Sequence, residues 1–411
     1  MRNDYLLSNI FKYIISMAVL YIYIYSPALQ FMPFGLDKII FIISFLYIVI
    51  FGQLRGLVKS FKNEFIYLFL IMLSSLFVTI IHRGFGFDGI LMYDLFLFFE
   101  VILVPYVFFV LFVKKWNVRS DKLLIDNAII ASMVTVLLLA NPLWAEMMKN
   151  QILRVPEILL INFRFRGFGF SDGLTFGYPV VQGFCASFIV AGMIKHRPFY
   201  IYLALFSILV SVLVNARSGL IPIFIALILV IWKSSIKNKM KIFVVGIMLF
   251  FLGYFILTES EDSQLAESVE WGLSTFEIIG NMLSGEEAEN MDALFYDMVQ
   301  FPTNFNDWLL GTGYNLFDGY INGYNQSDIG FCIRTVYGGA FYMFLWFCLW
   351  IFMYKRSRKI NKMFAIIMFS SLIYLNWKSD FFIVNPSCRF FFLVYVFCIL
   401  DNNFLTDKKL A

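Results

Sequence analysis

Charged side chains are scarce in this sequence. Asp, Glu, Lys and Arg make up 15% of the 411 residues, whereas 61% are hydrophobic and 20% are aromatic. A soluble globular domain carries roughly 25% charged residues, so this composition excludes an ordinary soluble enzyme. It predicts a polytopic membrane protein, in which apolar runs of about 17–25 residues cross the bilayer.

Motifs of metal binding and energy coupling are also missing. Only two histidines occur, His82 and His196, and the five cysteines show no CxxC or metal-ligand spacing. We therefore expect no metal, no cofactor and no histidine-based catalysis, and the lack of a Walker A sequence argues against ATP-driven transport. Cys332 and Cys388 are predicted to lie in outer loops, where two separate thiols are favoured over a disulfide. The apolar start lacks a small-residue cleavage site, which indicates a retained first helix.

Apolar segments separated by polar connections define the predicted fold. They lie at about 10–29, 36–53, 65–82, 90–113, 123–140, 175–194, 198–215, 218–232, 242–258, 335–354, 363–377 and 389–401. Of the 32 basic residues, 22 fall on alternate connections. By the positive-inside rule, this alternation predicts an all-α polytopic protein with about 12 transmembrane helices (11–13) and both termini in the cytoplasm.

Two predicted outer connections are much longer than the others. The first covers about 141–175, and the second covers about 259–333, with fourteen Asp or Glu and no Lys or Arg. The spacing of Leu265, Val269 and Leu273 predicts an amphipathic helix on the membrane face early in the second loop. Its later part is rich in Gly, Asn and Tyr, which is typical of turns.

Arginine is concentrated on the predicted outer side. Arg154, Arg164, Arg166 and Arg217 fall in neighbouring outer connections, and a guanidinium presents a fork of donors that suits phosphate oxygens. The alternative is that these arginines bind lipid headgroups or pair with the acidic loop. Arg217 lies between two apolar runs, where a charge is costly and usually faces a functional cavity.

In the stretch RFRGFGFSDG, residues 164–173, the core Arg166–Phe170 matches the opening of the RNA-binding octapeptide of RRM domains. A nearly identical string, RGFGFDG, occupies residues 83–89. Because a soluble domain of that kind has no room between membrane helices, we expect no nucleic-acid partner. The Gly-rich part either cradles a phosphate with backbone N–H groups or bends the chain at the membrane interface.

Two carboxylates of the second outer loop are candidate general bases. Asp328 precedes an apolar segment and lies six residues before Arg334, whereas Asp318 has a weaker context. A carboxylate near arginines can deprotonate a hydroxyl acceptor, although most acidic residues of this loop are expected to be solvated. In the fourth and fifth segments, Asp94, Glu100 and Asp126 suggest either a proton relay or side chains that reach the interface.

Aromatic and amide side chains crowd the end of the second outer loop. The candidates for a sugar-binding surface are Tyr314, Tyr320, Tyr324 and Asn325. Aromatic faces pack on sugar rings, but aromatic belts at membrane interfaces use the same residues. The pattern slightly favours carbohydrate.

Taken together, these motifs resemble the O-antigen polymerases (Wzy type) of the O-antigen polymerase and ligase superfamily. The resemblance rests on RFRGFGFSDG, on LVNARSGLI around Arg217, and on LLGTGYNLFDGY with QSDIGFCIRTVYGG in the large loop. It covers most of residues 150–345 in motif order. It implies a GT-C-like membrane glycosyltransferase without metal or nucleotide sugar.

The resemblance also implies a substrate, partners and site residues. A growing glycan would pass from undecaprenyl diphosphate to an incoming lipid-linked repeat unit on the periplasmic face of the bacterial inner membrane. Membrane lipids and a chain-length regulator protein are the further expected partners. The implied diphosphate-binding residues are Arg154, Arg164, Arg166, Arg217 and Arg334, and the implied catalytic residues are Asp328 and Arg217. The alternatives are a lipid-linked oligosaccharide flippase and an O-antigen ligase, of which the ligase is disfavoured because the large loop has no histidine.

Overall fold

The computed structural model describes residues 2–83, 89–154, 167–194, 199–233, 298–318, 324–383, 385–401 and 404–405. Within these ranges the regular structure is helical, apart from one antiparallel bridge between Leu29 and Leu153. The helices are α1 (Arg2–Tyr25), α2 (Leu36–Ile50), α3 (Leu54–Arg83), α4 (Gly89–Glu100), α5 (Leu103–Phe108), α6 (Ser120–Leu139), α7 (Pro142–Met147), α8 (Gly177–Val190), α9 (Phe199–Asn215), α10 (Leu220–Lys233), α11 (Phe305–Leu310), α12 (Gly330–Ile360), α13 (Lys362–Lys378) and α14 (Pro386–Leu400). Short π-helical turns at Phe109–Lys115 and Met148–Ile152, and 3₁₀ turns at Arg217–Gly219 and Leu316–Asp318, complete the list.

Each predicted apolar segment that falls on described residues overlaps a helix, and the segment at 242–258 lies outside them. Five helices of the described part are long and apolar enough to cross a membrane: Leu7–Tyr25, Leu54–His82, Gly89–Lys115, Ser120–Leu139 and Gly330–Ile360. The prediction of a helical membrane protein is therefore confirmed, while the number of spans stays a prediction. The predicted amphipathic helix after 259 also lies outside the described residues.

Asparagine begins four of the helices. The Oδ1 atoms of Asn141, Asn304, Asn361 and Asn385 accept hydrogen bonds from backbone N–H groups three residues further along the chain. These caps satisfy donors that the first turn of a helix leaves without intrahelical partners. They stabilise the first turn of each of these four helices.

The described residues form two compact units. The first contains those of 1–40, 110–280 and 401–411, and the second contains those of 41–109 and 281–400. In the first unit, α8 packs against α6, α9 and α10, and α6 also contacts α1 and α9. In the second unit, α12 packs against α3, α11, α13 and α14.

The long helix α12 is kinked at Gly339, which has a φ of 71°. Only glycine adopts this left-handed conformation without strain. Near the kink, the carbonyls of Val336 and Tyr337 accept hydrogen bonds from the N–H groups of Thr312 and Gly313, at 2.8 and 3.0 Å. The backbone at Thr312 and Gly313, in the later part of the predicted second outer loop, is thus held against α12 near its kink.

All five cysteines are free thiols. The prediction that Cys332 and Cys388 lie in loops is wrong, because α12 begins at Gly330 and α14 begins at Pro386. Both helices begin before their apolar runs do, so the hydropathy pattern placed their starts too late.

Candidate functional site

In the first unit, Asn215 joins the two arginine motifs. Its Oδ1 accepts a hydrogen bond from the N–H of Phe168 at 2.8 Å, and its Nδ2 donates to the carbonyl of Phe168 at 2.9 Å. Asn215 is completely buried at the end of α9, two residues before Arg217. Phe168 follows Arg166 by two residues, so this paired contact connects segments that are 47 residues apart.

A second polar group supports the same turn. The Oγ1 of Thr135 in α6 donates to the Phe168 carbonyl at 2.8 Å and lies 2.8 Å from the hydroxyl of Tyr178. That hydroxyl donates to the carbonyl of Ala131 at 2.7 Å, and Ser211 completes the group at 3.2 Å from it. These side chains are buried, so their hydrogen bonds satisfy one another away from water.

Helix α1 holds the following residues of the turn. The hydroxyl of Tyr21 donates to the Phe170 carbonyl at 3.1 Å, and the carbonyl of Tyr25 accepts from Ser171 Oγ and Asp172 N at 2.9 and 3.0 Å. Contacts from α1, α6 and α9 therefore fix the backbone of 168–172. The described part of the glycine-rich stretch is therefore a turn that hydrogen bonds hold in place inside the first unit.

Arg217 lies two residues after Asn215, which contacts this turn, and it begins a short 3₁₀ turn. Its side chain is half-buried, as expected for a charge between two apolar runs. Gly219 completes the 3₁₀ turn, and a Cβ there would lie 2.3 Å from the carbonyl oxygen of Pro179 in α8. A Cβ at Gly183 of α8 would lie 1.9 Å from the Gly219 oxygen. The two glycines allow close packing that fixes the backbone on which Arg217 is carried.

The other predicted arginines of the first unit have different surroundings. Arg154 is exposed, and its Nη1 donates to the carbonyl of Pro33 at 3.1 Å, while its backbone N–H bonds to Ala28. Arg154 thus ties the connection between α1 and α2 to the end of the π turn. Arg164 and Arg166 lie outside the described residues.

Lys149 lies at the same turn, although the sequence pattern gave it no role. Its Nζ lies 4.4 Å from the centroid of the Phe168 ring, and a Cβ at Gly167 would be 3.8 Å from its Cε. Burial lowers the pKa of Lys149 to about 8, because removal from water disfavours the charged form. The sequence signal that could have indicated Lys149 is its position in the predicted first outer loop, which contains few lysines.

In the second unit, Asp328 lies between the large loop and α12. It is half-buried, and burial raises the pKa of its carboxyl group, while the nearby Lys378 lowers it by a smaller amount. The adjacent Ser327 fixes the backbone, since its N–H donates to Leu316 and its Oγ to the Met298 carbonyl at 2.7 Å. A carboxylate with a raised pKa on a fixed backbone is suited to accept a proton.

The predicted sugar-binding residues differ in how exposed they are in the structure. Asn325 is exposed, and its backbone pairs with the side chain of Gln300 at 2.8 and 3.3 Å. Tyr314 is half-buried, whereas the Tyr324 side chain is 9% exposed and offers little ring surface for stacking. Tyr320 lies outside the described residues, as does the side chain of Asp318.

Arg334 forms a buried ion cluster in the second unit. Its Nη1 donates to Asp94 Oδ1 at 2.8 Å and to the Tyr342 hydroxyl at 2.6 Å, and its Nε donates to Asp380 Oδ2 at 2.7 Å. The Tyr342 hydroxyl in turn donates to Asp94 Oδ2 at 2.8 Å. Because Arg334 is 2% exposed and engages two carboxylates, it does not suit the diphosphate contact expected of it. We assign it to the packing of the second unit.

Two further acids of the apolar helices, Asp126 and Glu64, have hydrogen-bond partners, and Glu100 is completely buried in α4. Asp126 accepts a hydrogen bond from Tyr13 in the first unit. In the second unit, Glu64 binds both Arg356 and Tyr395, which joins α3, α12 and α14. These pairs hold helices together, which the sequence alone did not reveal.

Comparison of the chain with protein families, with curated proteins and with solved structures finds no match.

Proposed function

We propose that this protein is a membrane glycosyltransferase that polymerises lipid-linked oligosaccharide repeat units. The observation that carries the proposal is the paired hydrogen bond between Asn215 and Phe168. It brings together the two arginine-bearing motifs on which the resemblance to O-antigen polymerases depends. A GT-C-like arrangement of about 12 spans and an inner-membrane location belong to the same proposal.

Arginine side chains supply the diphosphate contacts in this proposal. When the glycan leaves its lipid carrier, negative charge develops on the departing diphosphate. Guanidinium groups held in place before the reaction stabilise that charge without reorganisation. Arg217 is the principal candidate because its backbone is fixed by Gly219 and Asn215, and Arg154, Arg164 and Arg166 are the additional candidates.

Asp328 is the candidate general base of this proposal. Asp328 accepts the proton of the acceptor hydroxyl, and the oxygen attacks the anomeric carbon of the donor glycan. The bond between that carbon and the phosphate oxygen breaks, and the lipid diphosphate leaves with the electron pair. The raised pKa of Asp328 favours proton acceptance, and Asn325 is an exposed polar residue of the same loop that is proposed to contact the acceptor sugar.

The proposal is tested with the purified protein in nanodiscs and a lipid-linked repeat unit as both donor and acceptor. Wild-type protein should give a ladder of lengthening glycans. Arg217→Lys and Asp328→Asn should abolish the ladder, while the controls Arg119→Lys and Asp307→Asn, which lie outside the proposed site, should retain it. A normal ladder from both site variants would overturn the site, and no ladder from folded wild-type protein would overturn the function.

A flippase is the second candidate function, and the buried ion cluster of the second unit favours it. Ionisable side chains inside membrane segments commonly mark transport pathways, and Arg334 lies between Asp94 and Asp380. All three side chains are, however, engaged with one another, as in a network that joins helices. In cells, loss of a polymerase leaves single repeat units on the surface, whereas loss of a flippase removes all surface glycan.

A further inference from the structure

A group of exposed basic side chains lies in the second unit, at the end of α12 opposite to Asp328. Three of them belong to the first turns of α3 and three to the last turns of α12. All six residues are exposed. They are called the basic patch below and comprise Arg55, Lys59, Lys62, Lys355, Arg358 and Lys359.

A buried ion pair brings the two halves of the basic patch together. Arg356 of α12 binds Glu64 of α3, and its Nη2 donates to the carbonyl of Ser60 at 2.8 Å. Nearer the other end of both helices, the hydroxyl of Tyr337 lies 2.7 Å from Ser75 Oγ. The two helices are therefore antiparallel, and the beginning of α3 lies beside the end of α12.

The basic patch has no compensating carboxylate. Glu64 is the only acidic residue between positions 51 and 69, and positions 341–378 contain none. Glu64 itself is completely buried and already binds Arg356 and Tyr395. In the part of the chain that the structure describes, the ion pairs involve none of the six basic side chains. Since like charges repel, a bound anion would stabilise this end of the unit.

Exposed apolar side chains adjoin the basic patch on both helices. Ile66 follows Lys62 by about one helical turn in α3, and Ile351 precedes Lys355 by about one turn in α12. Both isoleucines are exposed. Because the helices are antiparallel, both lie on the same side of the basic residues, toward the middle of the helices. A ligand that matches this surface combines negative charge with apolar chains, whereas an acidic protein segment would match only the basic part.

We propose that the basic patch binds the phosphate headgroups of anionic phospholipids, whose acyl chains lie along Ile66 and Ile351. The positive-inside rule predicts that these basic residues face the cytoplasm. That rule requires only that they fall on this side, however, and not that a buried ion pair gathers residues from two distant parts of the chain. The inference does not depend on the proposed function, because it concerns the other end of α12.

The test uses the purified full-length protein and native mass spectrometry, with phosphatidylglycerol and phosphatidylcholine as the two lipid probes. Two variants each remove three charges from one half of the basic patch: Arg55→Gln/Lys59→Gln/Lys62→Gln and Lys355→Gln/Arg358→Gln/Lys359→Gln. The matched control removes the same charge from the first unit: Lys12→Gln/Lys38→Gln/Lys122→Gln. A further variant exchanges side chains but keeps the charge: Lys355→Arg/Arg358→Lys/Lys359→Arg.

The wild type should bind phosphatidylglycerol more tightly than phosphatidylcholine. Each variant that removes charge from the basic patch should lose roughly tenfold to a hundredfold in affinity for phosphatidylglycerol, because each basic residue near the headgroup contributes to binding. The control and the charge-keeping variant should retain the wild-type affinity, and binding of phosphatidylcholine should not change. A high concentration of ammonium acetate should remove the preference of the wild type, since salt screens exposed charges.

Three results would overturn the inference. The first is a wild type without preference for phosphatidylglycerol, or with a preference that salt does not weaken; this measurement needs no variant and stands even where a variant fails to fold. The second is an equal loss in the control, which would show an effect of net charge alone. The third is binding of a polyglutamate peptide that depends on the basic patch and persists in excess phosphatidylglycerol, which would assign the patch to an acidic protein. Because no glycan is used, none of these results bears on polymerisation.

Discussion

Replacing Asn215 by leucine should release the turn at 167–170. The substitution keeps the approximate side-chain volume but removes every hydrogen bond that the amide makes to Phe168. Asn127→Leu is the matched control, since Asn127 is equally buried in α6 of the same unit. The amide of Asn127 donates to Leu123 O and to the sulfur of Met17, and its Oδ1 has no hydrogen-bond partner within the described structure.

The expected magnitude follows from the groups left behind. The carbonyl of Phe168 keeps the hydrogen bond from Thr135, so it loses only one of two donors, at a cost of about 1 kcal/mol. The Phe168 N–H loses the acceptor that Asn215 provides in a buried place, at a cost of about 1–3 kcal/mol. The turn should therefore be destabilised by ~2–4 kcal/mol. Asn127→Leu removes a carbonyl oxygen that is already unsatisfied, so it should be neutral or slightly stabilising.

Hydrogen–deuterium exchange with mass spectrometry measures this difference where it arises. Peptides covering 167–172 should exchange at least about thirtyfold faster in Asn215→Leu, because 2 kcal/mol shifts a local opening equilibrium by that factor. The unfolding temperature in detergent should fall for Asn215→Leu and not for Asn127→Leu. Unchanged exchange at 167–172, or equal acceleration in both variants, would refute the argument that Asn215 holds the turn.

Three further outcomes are expected from other parts of the structure. Gly219→Ala should reduce the folded fraction in size-exclusion chromatography, since overpacking costs roughly 1–3 kcal/mol. Gly89→Ala should leave the folded fraction unchanged, because a Cβ at Gly89 has no neighbour nearer than 3.9 Å. Arg334→Met should destabilise the protein by ~3–5 kcal/mol by leaving buried carboxylates uncompensated, whereas Arg119→Met, at a more exposed ion pair, should cost under about 1 kcal/mol in thermal unfolding. As the pH rises from 8 to 10, Lys149 should progressively raise the unfolding temperature. Its folded-state pKa of about 8 lies below its ordinary value of 10.5, so in this range the unfolded chain binds more protons than the folded protein. Lys149→Met should lack that contribution, and identical pH profiles would contradict it.

The helices of this fold could be predicted well from the sequence because apolar runs report burial in lipid or protein directly. Helix starts were less accurate where polar residues belong to the helix. In α12, Gly330–Arg334 precede the apolar run but are helical, since Arg334 is neutralised by Asp94 and Asp380. Hydropathy counts that arginine as a boundary, whereas the structure buries it.

The sequence indicated which residue types belong to the candidate site, but it did not indicate which residues contact one another. Arginine abundance indicated Arg217, and its half-buried position agrees with that reasoning. Nothing in the sequence showed that Asn215 pairs with Phe168, because the two residues are 47 positions apart and asparagine is common at helix ends for local reasons. Lys149 was missed for a related reason: it contacts the Phe168 ring, which only the folded chain brings close.

The polar groups around Phe168 have a physical reason to be there. Backbone outside a helix cannot find water inside a membrane protein, so each of its N–H and C=O groups needs an internal partner. Side chains of α1, α6 and α9 provide those partners for 168–170. Such a turn cannot move without breaking several buried hydrogen bonds at once, and it is therefore fixed before any ligand arrives. A phosphate-binding group carried on this backbone would lose little conformational entropy on binding, which is the condition under which a few cations can hold a diphosphate tightly.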